Sequence, residues 1–416
     1  MDYLYNGESK TINIKKDDVG IDKKQKEIID ETETIRNEIL PKFLSSDNLS
    51  FLLSNGCSYC AGSKAINDTK QGAAYQSLIA KFRFTDEKDN SLIPYKEKIN
   101  GYEKLRPEEV LDKLYQIKLH FEDIANDKEA VTEVDQLISD FKKSFLEEFV
   151  LDIDYSQNSI HKQFLKRIIS RDSKLNKANL FSLNYDLLLE KTAEQLGIHV
   201  NNGFLGFHDR RFQPASYQLD VHIGGTSEGK KYGKALNLFK LHGSISWYED
   251  SNKPPYAISE KQLSENTNGK IDYDQIKKEV IIYPVQSKKK HSLDLPYSEL
   301  FRQFVEALNK QRSVLIVIGY SFLDEHVNDI ITNALANPDF NLVIFSFDTF
   351  GNSTSVYYKE LCKKAEGDNR ITVFQGEILG KFEFIVRYLM PYSETTSSEE
   401  IIFKTFQELL KLKNKQ

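Results

Sequence analysis

Residues 313–335 read SVLIVIGYSFLDEHVNDIITNAL, and this stretch decides the fold class. It opens with an unbroken apolar run that ends at Gly319. An apolar run without alternation is typical of a strand buried on both faces of a parallel sheet. From Glu325 to Leu335 the apolar residues recur at helical spacing. A strand, a small-residue turn and a helix in this order predict the repeating unit of a parallel α/β sheet.

The same pattern recurs along the chain. Short runs rich in Leu, Ile, Val and Phe end in or near Gly, Ser, Asn or Pro at Leu49–Ser54, Ala178–Asn184, Leu236–His242, Val280–Pro284, Ser313–Gly319 and Leu342–Phe347. A second helical pattern, LLLEKTAEQL, follows one of them at Leu187–Leu196. We therefore predict a doubly wound α/β fold in which these runs form buried parallel strands.

One long region breaks the alternation. Residues 74–176 carry almost no strand signal and predict helices at Tyr75–Phe82, Pro107–Ile124, Ala130–Leu151 and Ser159–Ser170. A further helix is predicted at Lys26–Leu40, stopped by Pro41, and an amphipathic one at 397–414. The predicted organisation is a helical N-terminal extension over 1–48, a core over 49–73 and 177–390, a helical insertion over 74–176, and a C-terminal helix over 391–416.

Composition excludes several classes of protein. The 416 residues are 40% hydrophobic and 28% charged, with a net charge of -6, so a packed core is feasible and whole-chain binding to nucleic acid is not expected. The densest basic run, Lys288–Lys290, predicts a solvated loop, with a phosphate or partner contact as the alternative. The polar N-terminus lacks a signal-peptide core, and Val314–Ile318 is too short to span a bilayer. We expect a soluble cytoplasmic protein that does not bind membranes.

The stretch LLSNGCSYCAG, residues 52–62, has two interpretations. Cys57 and Cys60 have the spacing of half a zinc site or of a redox pair. Asn55, Gly56 and Ser58 instead suit a small-residue turn that contacts a phosphate. Because the chain has only three cysteines, a four-cysteine zinc site and a disulfide framework are excluded by count. A redox pair and a phosphate loop remain.

Polar groups follow the predicted strands, where ligands bind in an open parallel sheet. They are Asn55-Gly56-Cys57-Ser58, Ser182-Leu183-Asn184-Tyr185-Asp186, His242-Gly243-Ser244, Gly319-Tyr320-Ser321 with Asp324, and Ser346-Phe347-Asp348. Each has a purely structural alternative. Asp186 suits the cap of the next helix, His242 suits a strand end, and Gly319 suits a plain turn. Their convergence on one edge of the sheet favours a binding site.

These residues resemble motifs of the sirtuin family. Leu-Asn-Tyr-Asp (183–186) resembles the Thr-x-Asn-(Tyr/Ile)-Asp motif, and Lys-Leu-His-Gly-Ser (240–244) resembles the Leu-His-Gly motif. The 54–62 loop is similar to the Gly-Ala-Gly-x-Ser loop that holds the NAD pyrophosphate, although Ser54-Asn55-Gly56 stands in place of Gly-Ala-Gly. Gly-Tyr-Ser-Phe-x-Asp (319–324) resembles a late motif of bacterial sirtuin-like proteins from anti-phage defence. The resemblance covers about 50–73 and 177–380.

The resemblance implies a Rossmann-like NAD-binding domain with helical insertion and terminal helices. It also implies hydrolysis of NAD to ADP-ribose and nicotinamide, which depletes cellular NAD during infection. Asn184 would position the water or the ribose, and His242 would act as the base. The residues expected to bind NAD, which is a substrate here, are Asn55, Gly56, Ser58, Asp186, Gly243, Gly319, Ser321 and Asp324. Neither zinc nor any other metal is expected, because the cysteine count rules out the four-cysteine module of protein-deacetylating sirtuins.

Two other functions stay open on the sequence. One is an NAD-dependent protein deacylase or ADP-ribosyltransferase, which would keep the fold and change the acceptor. The other is a non-catalytic subunit that binds NAD or ADP-ribose. The resemblance further implies control by assembly: a homo-oligomer, a HerA-type hexameric ATPase or helicase partner, or a phage-derived activator.

Overall fold

The structure is a computed structural model that describes residues 2–15, 19, 24–64, 107–172, 174–222, 232–252, 255–276, 279–281 and 295–392. Its strands are β1 (Asp2–Tyr5), β2 (Glu8–Thr11), β3 (Asn48–Leu53), β4 (Asn179–Ser182), β5 (His199–Asn201), β6 (Phe204–Leu205), β7 (Arg210–Phe212), β8 (Ala235–Lys240), β9 (Gly243–Glu249), β10 (Ile258–Glu260), β11 (Glu279–Ile281), β12 (Ser313–Ile318), β13 (Asn341–Ser346) and β14 (Ile371–Gln375). The α-helices are α1 (Gln25–Glu31), α2 (Leu40–Leu44), α3 (Pro107–His120), α4 (Lys128–Phe145), α5 (Ser159–Ile169), α6 (Leu188–Gln195), α7 (Tyr297–Leu308), α8 (Glu325–Ala334), α9 (Val356–Ala365) and α10 (Phe382–Phe384). Four π-helical segments, Ile35–Ile39, Phe121–Ala125, Leu146–Val150 and Ile385–Leu389, adjoin helices α2, α3, α4 and α10.

A nine-stranded sheet forms the centre of the fold, in the order β2-β1-β14-β13-β12-β3-β4-β8-β5. The strands from β14 to β5 are parallel to one another, as the sequence predicts. From β3 the chain continues to β4 and β8 on one side, and later returns to β12, β13 and β14 on the other. The strand order therefore reverses between β3 and β12. Ligands of doubly wound sheets bind at such a switch point.

The strands of this sheet are buried because helices cover both faces. Every residue of β12 is buried. Alternate residues of β3 belong to opposite sides: Leu49 and Phe51 pack with α5 in one apolar cluster, and Leu52 packs with α7 in the other. This is the period of two that strand geometry imposes. It confirms the doubly wound α/β prediction and explains why the strands read as unbroken apolar runs.

Five antiparallel strands form a second sheet in the order β11-β9-β10-β7-β6, of which β6 and β7 precede β8 in the chain and the other three follow it. The sequence prediction missed it because most of its strands have only two or three residues. The prediction of a parallel core strand at Val280–Pro284 is wrong. Val280 lies in β11, which pairs antiparallel with β9, and residues 282–284 lie outside the described part of the chain.

The helical insertion is confirmed over its described part. α3, α4 and α5, with the π-helical segments after α3 and α4, match the predicted helices that begin at Pro107, Ala130 and Ser159. The side chain of Asp127 caps α4 by accepting from the backbone N–H groups of Glu129 and Ala130. The predicted helices at 75–82 and 397–414, and the basic run 288–290, lie outside the described residues.

The N-terminal 48 residues are not helical throughout. β1 and β2 form a hairpin whose turn, Asn6-Gly7, has positive φ at both residues. This dipeptide suits a two-residue hairpin turn. The hairpin extends the large sheet, because β1 pairs antiparallel with β14. The predicted stop at Pro41 is also wrong: Pro41 occupies the first turn of α2, where no amide hydrogen is needed. None of the helices in the described ranges has the length and apolar composition of a membrane span.

Candidate functional site

The turns that follow four neighbouring strands lie side by side. The parallel ladder continues past the strand ends, with Ser54 N–H donating to the Ile318 carbonyl at 3.1 Å and Leu183 N–H to the Leu53 carbonyl at 2.9 Å. Leu241 N–H likewise donates to the Ser182 carbonyl at 2.9 Å. These bonds bring together the turns after β12, β3, β4 and β8, which carry the predicted site residues.

The turns after β3 and β12 approach each other closely at Gly56 and Gly319. Gly56 N–H donates to the Gly319 carbonyl at 3.2 Å. A Cβ atom added to Gly56 would lie 2.7 Å from Gly319 Cα, and Gly319 has a φ of +70°. Glycine at both positions therefore lets the two turns touch across the switch point. The contact places the first predicted NAD-binding loop against the late motif.

Asn55 supports the loop from within. Its side chain donates to the Lys64 carbonyl at 2.7 Å and accepts from the Ser63 hydroxyl at 2.7 Å. Lys64 in turn lies 2.9 Å from both Glu148 and Asp152 of the helical insertion. Asn55 thus closes the loop over 55–64, which the insertion holds through Lys64.

Asn184, Ser58 and Asp186 form one hydrogen-bonded chain. The Asn184 amide donates to the Ser58 hydroxyl at 2.9 Å and to the Ser54 carbonyl at 3.2 Å. Ser58 donates to the Asp186 carboxylate at 2.8 Å, and that carboxylate also accepts from Leu188 N–H at 3.0 Å. Ser58 and Asp186 are buried. Both therefore act behind the site, where they fix the Asn184 side chain and the start of α6.

The bond to Ser54 also fixes which way the Asn184 amide points. A carbonyl oxygen can only accept, so the atom of Asn184 that faces Ser54 is the amide nitrogen. Oδ1 lies at the other branch of the amide, and it has no hydrogen-bond partner among the described residues. Asn184 thus offers one preoriented acceptor.

His242 and Asp324 pair across the site. His242 Nε2 lies 3.2 Å from Asp324 Oδ2, and both side chains are 6% exposed. The other carboxylate oxygen of Asp324 accepts from Val327 N–H at 3.4 Å, and its backbone carbonyl accepts from the Tyr320 hydroxyl at 3.0 Å. Because a carboxylate ion only accepts, Nε2 carries the proton of this hydrogen bond, and in the neutral form of the ring the lone pair lies on Nδ1. Asp324 therefore orients the histidine and caps α8.

The remaining predicted residues take different places. Gly243 opens β9 with a φ of +82°, and a Cβ atom there would lie 2.0 Å from the Val280 carbonyl oxygen. Glycine is therefore required for β9 to leave the large sheet beside β11. Ser321 is exposed on the turn after β12. Gly243 thus shapes the turn after β8, and Ser321 lies at the surface of the turn after β12.

The two cysteines of the first loop are held as thiols. Burial raises the pKa of Cys57 well above its usual value and the pKa of Cys60 to about 12. Cys57 Sγ donates to the Ile318 carbonyl at 3.3 Å. Cys60 Sγ lies 4.0 Å from Nδ1 of the buried His161, and burial lowers the pKa of that histidine to about 4. No cluster of metal ligands occurs in the residues that the structure describes. These cysteines pack the loop.

Sequence reasoning gave no role to a group of side chains behind the Asn184 turn. The Tyr155 hydroxyl of the insertion accepts from Leu187 N–H at 3.3 Å. The Lys240 side chain, 2% exposed, donates to the Asp186 carbonyl and lies 3.4 Å from Glu190. Burial raises the pKa of Glu190, which the nearby Lys240 ammonium opposes. A lysine at the end of an apolar run was the available signal, because lysine is rarely buried without a partner.

The fold and site define a class. A doubly wound sheet with glycine turns at its switch point is a Rossmann-like α/β protein. Residues 178–355 match the family model described as "SIR2-like domain". The match spans less than half of the 416 residues and includes the turns of Asn184, His242 and Asp324. A search of curated proteins found no match to the chain. The SIR2-like domain supports a relation to the sirtuin-like family and implies NAD binding or use.

Proposed function

We propose that this protein is an NAD+ glycohydrolase that cleaves NAD+ to nicotinamide and ADP-ribose. The proposal rests chiefly on one observation: a preoriented Asn184 amide and a buried His242–Asp324 pair lie on adjoining turns at the switch point, within a SIR2-like domain. An oriented acceptor and an oriented base are what hydrolysis of an N-glycosidic bond needs.

Hydrolysis breaks the bond between the ribose C1′ and the nicotinamide nitrogen, whose ring takes the electron pair. A water oxygen then bonds to C1′, and its proton must leave. His242 accepts this proton on Nδ1, while Asp324 stabilises the resulting imidazolium through Nε2–H. Asn184 Oδ1 accepts a hydrogen bond from the water or from a ribose hydroxyl. The bond-breaking step has oxocarbenium character, which favours such acceptors over donors at this position.

The first loop would hold the pyrophosphate. The close approach of Gly56 and Gly319 leaves backbone there without side chains. The N–H groups of Gly56, Cys57 and Ser58 donate to backbone carbonyls, so the glycines would contribute by letting the pyrophosphate approach the backbone closely. Ser58 supports this loop indirectly, because its hydroxyl donates to the Asp186 carboxylate.

Water is the proposed acceptor because a chain with three cysteines cannot form the four-cysteine zinc module of protein-deacetylating sirtuins. We also propose a role in anti-phage defence, with NAD depletion controlled by homo-oligomerisation or by a HerA-type ATPase. The resemblance of residues 319–324 to the defence proteins supports this part. Native mass spectrometry of the protein, alone and with the product of the neighbouring gene, tests the assembly.

Nicotinamide release from NAD+, measured by liquid chromatography, tests the reaction. Asn184→Ala and His242→Ala should each abolish release while the circular dichroism spectrum stays unchanged. Activity in both variants would refute the site. Release that depends on an added acyl-lysine peptide would indicate a deacylase, and tight NAD or ADP-ribose binding without turnover would indicate a regulatory subunit.

A further inference from the structure

A buried lysine lies directly behind the Asn184 turn. Lys240 is the last residue of β8, and its side chain is 2% exposed. Its ammonium group donates to the backbone carbonyl of Asp186 and lies 3.4 Å from a carboxylate oxygen of Glu190 on α6. The contact joins residues 54 positions apart in the chain. It therefore ties the end of one strand to the turn after its neighbour.

Through Asp186 this contact reaches Asn184. Asp186 is held at three points: its carbonyl by Lys240, one carboxylate oxygen by Ser58 and the other by Leu188 N–H. Ser58 also accepts the Asn184 amide at 2.9 Å. A shift of Asp186 would move Ser58, and Ser58 would move Asn184. Only two side-chain bonds, of 2.8 and 2.9 Å, separate Asp186 from the Asn184 amide.

The stability of the fold does not by itself explain why a charged lysine is buried behind the Asn184 turn. The other carboxylate oxygen of Glu190 is buried and has no hydrogen-bond partner among the residues that the structure describes. Removing two charges from water is costly, and apolar residues of similar volume often replace a buried ion pair with no loss of stability. The long lysine stem does bring a donor to the Asp186 carbonyl, which no apolar side chain could do.

We propose that Lys240 is a positioning residue for the reaction, holding Asp186 so that Ser58 keeps the Asn184 amide in its productive orientation. Glu190 serves as its counter-ion and does not touch this chain of bonds. The inference rests on the proposed function for its kinetic part, and its structural part stands without it.

The test removes both charges at once. In Lys240→Met/Glu190→Leu the ion pair is gone and neither of its charges is left unpaired, so the thermal midpoint should stay close to that of the wild type, lowered only by the loss of the hydrogen bond to the Asp186 carbonyl. The kcat for NAD+ hydrolysis should fall about 100-fold, the loss that a misplacement of about 1 Å produces. KM should stay within about threefold, because only the Ser58 side chain depends on Asp186, while the backbone of the pyrophosphate loop is held by the bonds from Gly56 N–H to Gly319 and from Ser58 N–H to Asn55. Hydrogen–deuterium exchange of the 183–189 peptide should rise about tenfold or more.

Two controls separate positioning from general stability. Lys191→Met/Glu265→Leu removes another ion pair of α6, at 2.9 Å, and should leave kcat and the exchange of 183–189 unchanged. Glu190→Gln leaves the buried Lys240 ammonium without its counter-ion, so the thermal midpoint should fall, but Lys240 keeps its bond to the Asp186 carbonyl and kcat of the folded protein should stay within about threefold. Glu190→Gln also tests the positioning role of Lys240 if the Met/Leu variant does not fold. A 100-fold loss of kcat in folded Glu190→Gln would show that turnover depends on the ion pair, and this result would overturn the proposal.

Wild-type kcat and wild-type exchange in the Met/Leu variant would overturn the proposal as well. If the wild type releases no nicotinamide, the proposed function fails, and the exchange of the 183–189 peptide still decides whether Lys240 holds the turn. Faster exchange confined to that peptide would support the positioning role, and unchanged exchange would refute it.

Discussion

Gly56→Ala tests the contact that brings the two halves of the site together. The new Cβ would lie 2.7 Å from Gly319 Cα, 3.2 Å from its oxygen and 3.3 Å from its carbonyl carbon. Carbon atoms in contact prefer about 3.5–4.0 Å, so the turns must separate by about 1 Å. Both sides of the clash are backbone, and β3 and β12 are paired along their whole length, so neither side can yield freely.

We expect the free energy of unfolding to fall by about 2 kcal/mol, as for other overpacked sites. The hydrogen bond from Gly56 N–H to the Gly319 carbonyl, now 3.2 Å, would stretch beyond bonding distance. Turnover of NAD+ should fall about 100-fold. Urea unfolding followed by circular dichroism measures the first effect, and nicotinamide release measures the second.

Gly367→Ala is the matched control, because a Cβ there meets nothing within 4 Å and Gly367 is exposed. It should leave turnover unchanged and alter stability by less than about 1 kcal/mol. If Gly56→Ala behaves like this control in both assays, the close approach of the two turns is not needed for stability or turnover. Our interpretation of the Gly56–Gly319 contact is then wrong.

Three further predictions concern pH, backbone conformation and metal. Burial lowers the pKa of His161 from 6.5 to about 4, so the unfolded chain binds more protons between these values and stability must fall as pH falls through them. Between pH 7.5 and pH 5, protonation of this group should lower the free energy of unfolding by about 2 kcal/mol, as measured by urea unfolding at both pH values. His161→Gln should abolish this pH dependence, and replacing the exposed His208 should leave it unchanged. Gly243→Ala should lower the thermal midpoint more than Gly197→Ala, since both glycines have positive φ but only Gly243 would collide with Val280; equal shifts would refute the clash. A zinc chelator should change neither the thermal midpoint nor turnover, and loss of either would contradict the interpretation of Cys57 and Cys60 as packing residues.

The parallel sheet could be predicted because its strands are covered on both faces. Burial on both sides confines polar residues to the ends of β12 and β13, and the helices that follow keep their own period. The ends of such strands must meet at one edge. It could therefore be expected that the turns carrying Asn184, His242 and Asp324 lie at one edge of the sheet.

Other features depend on information that a local pattern does not contain. β6, β7 and β10 are too short to show alternation, and Val280 reads as a core strand although its partner is antiparallel. The Asn6-Gly7 turn was readable as a hairpin signal, because few other residues adopt positive φ twice in succession.

Side-chain partners were the least predictable feature. Asp324 and Ser58 were predicted to contact NAD, but their bonds to His242 and to Asp186 could not be predicted from the sequence. The role of Lys240 depends on a contact with Asp186, and only the folded sheet brings these two residues together.

The central claim is that the switch point hydrolyses NAD+. The most direct measurement is a time course of NAD+ with the purified protein, alone and with the product of the neighbouring gene, with Asn184→Ala run in parallel. The wild type should release nicotinamide and ADP-ribose in equal amounts in at least one of these states, and the variant should release none. The absence of nicotinamide in both states, or equal release from Asn184→Ala, would contradict it.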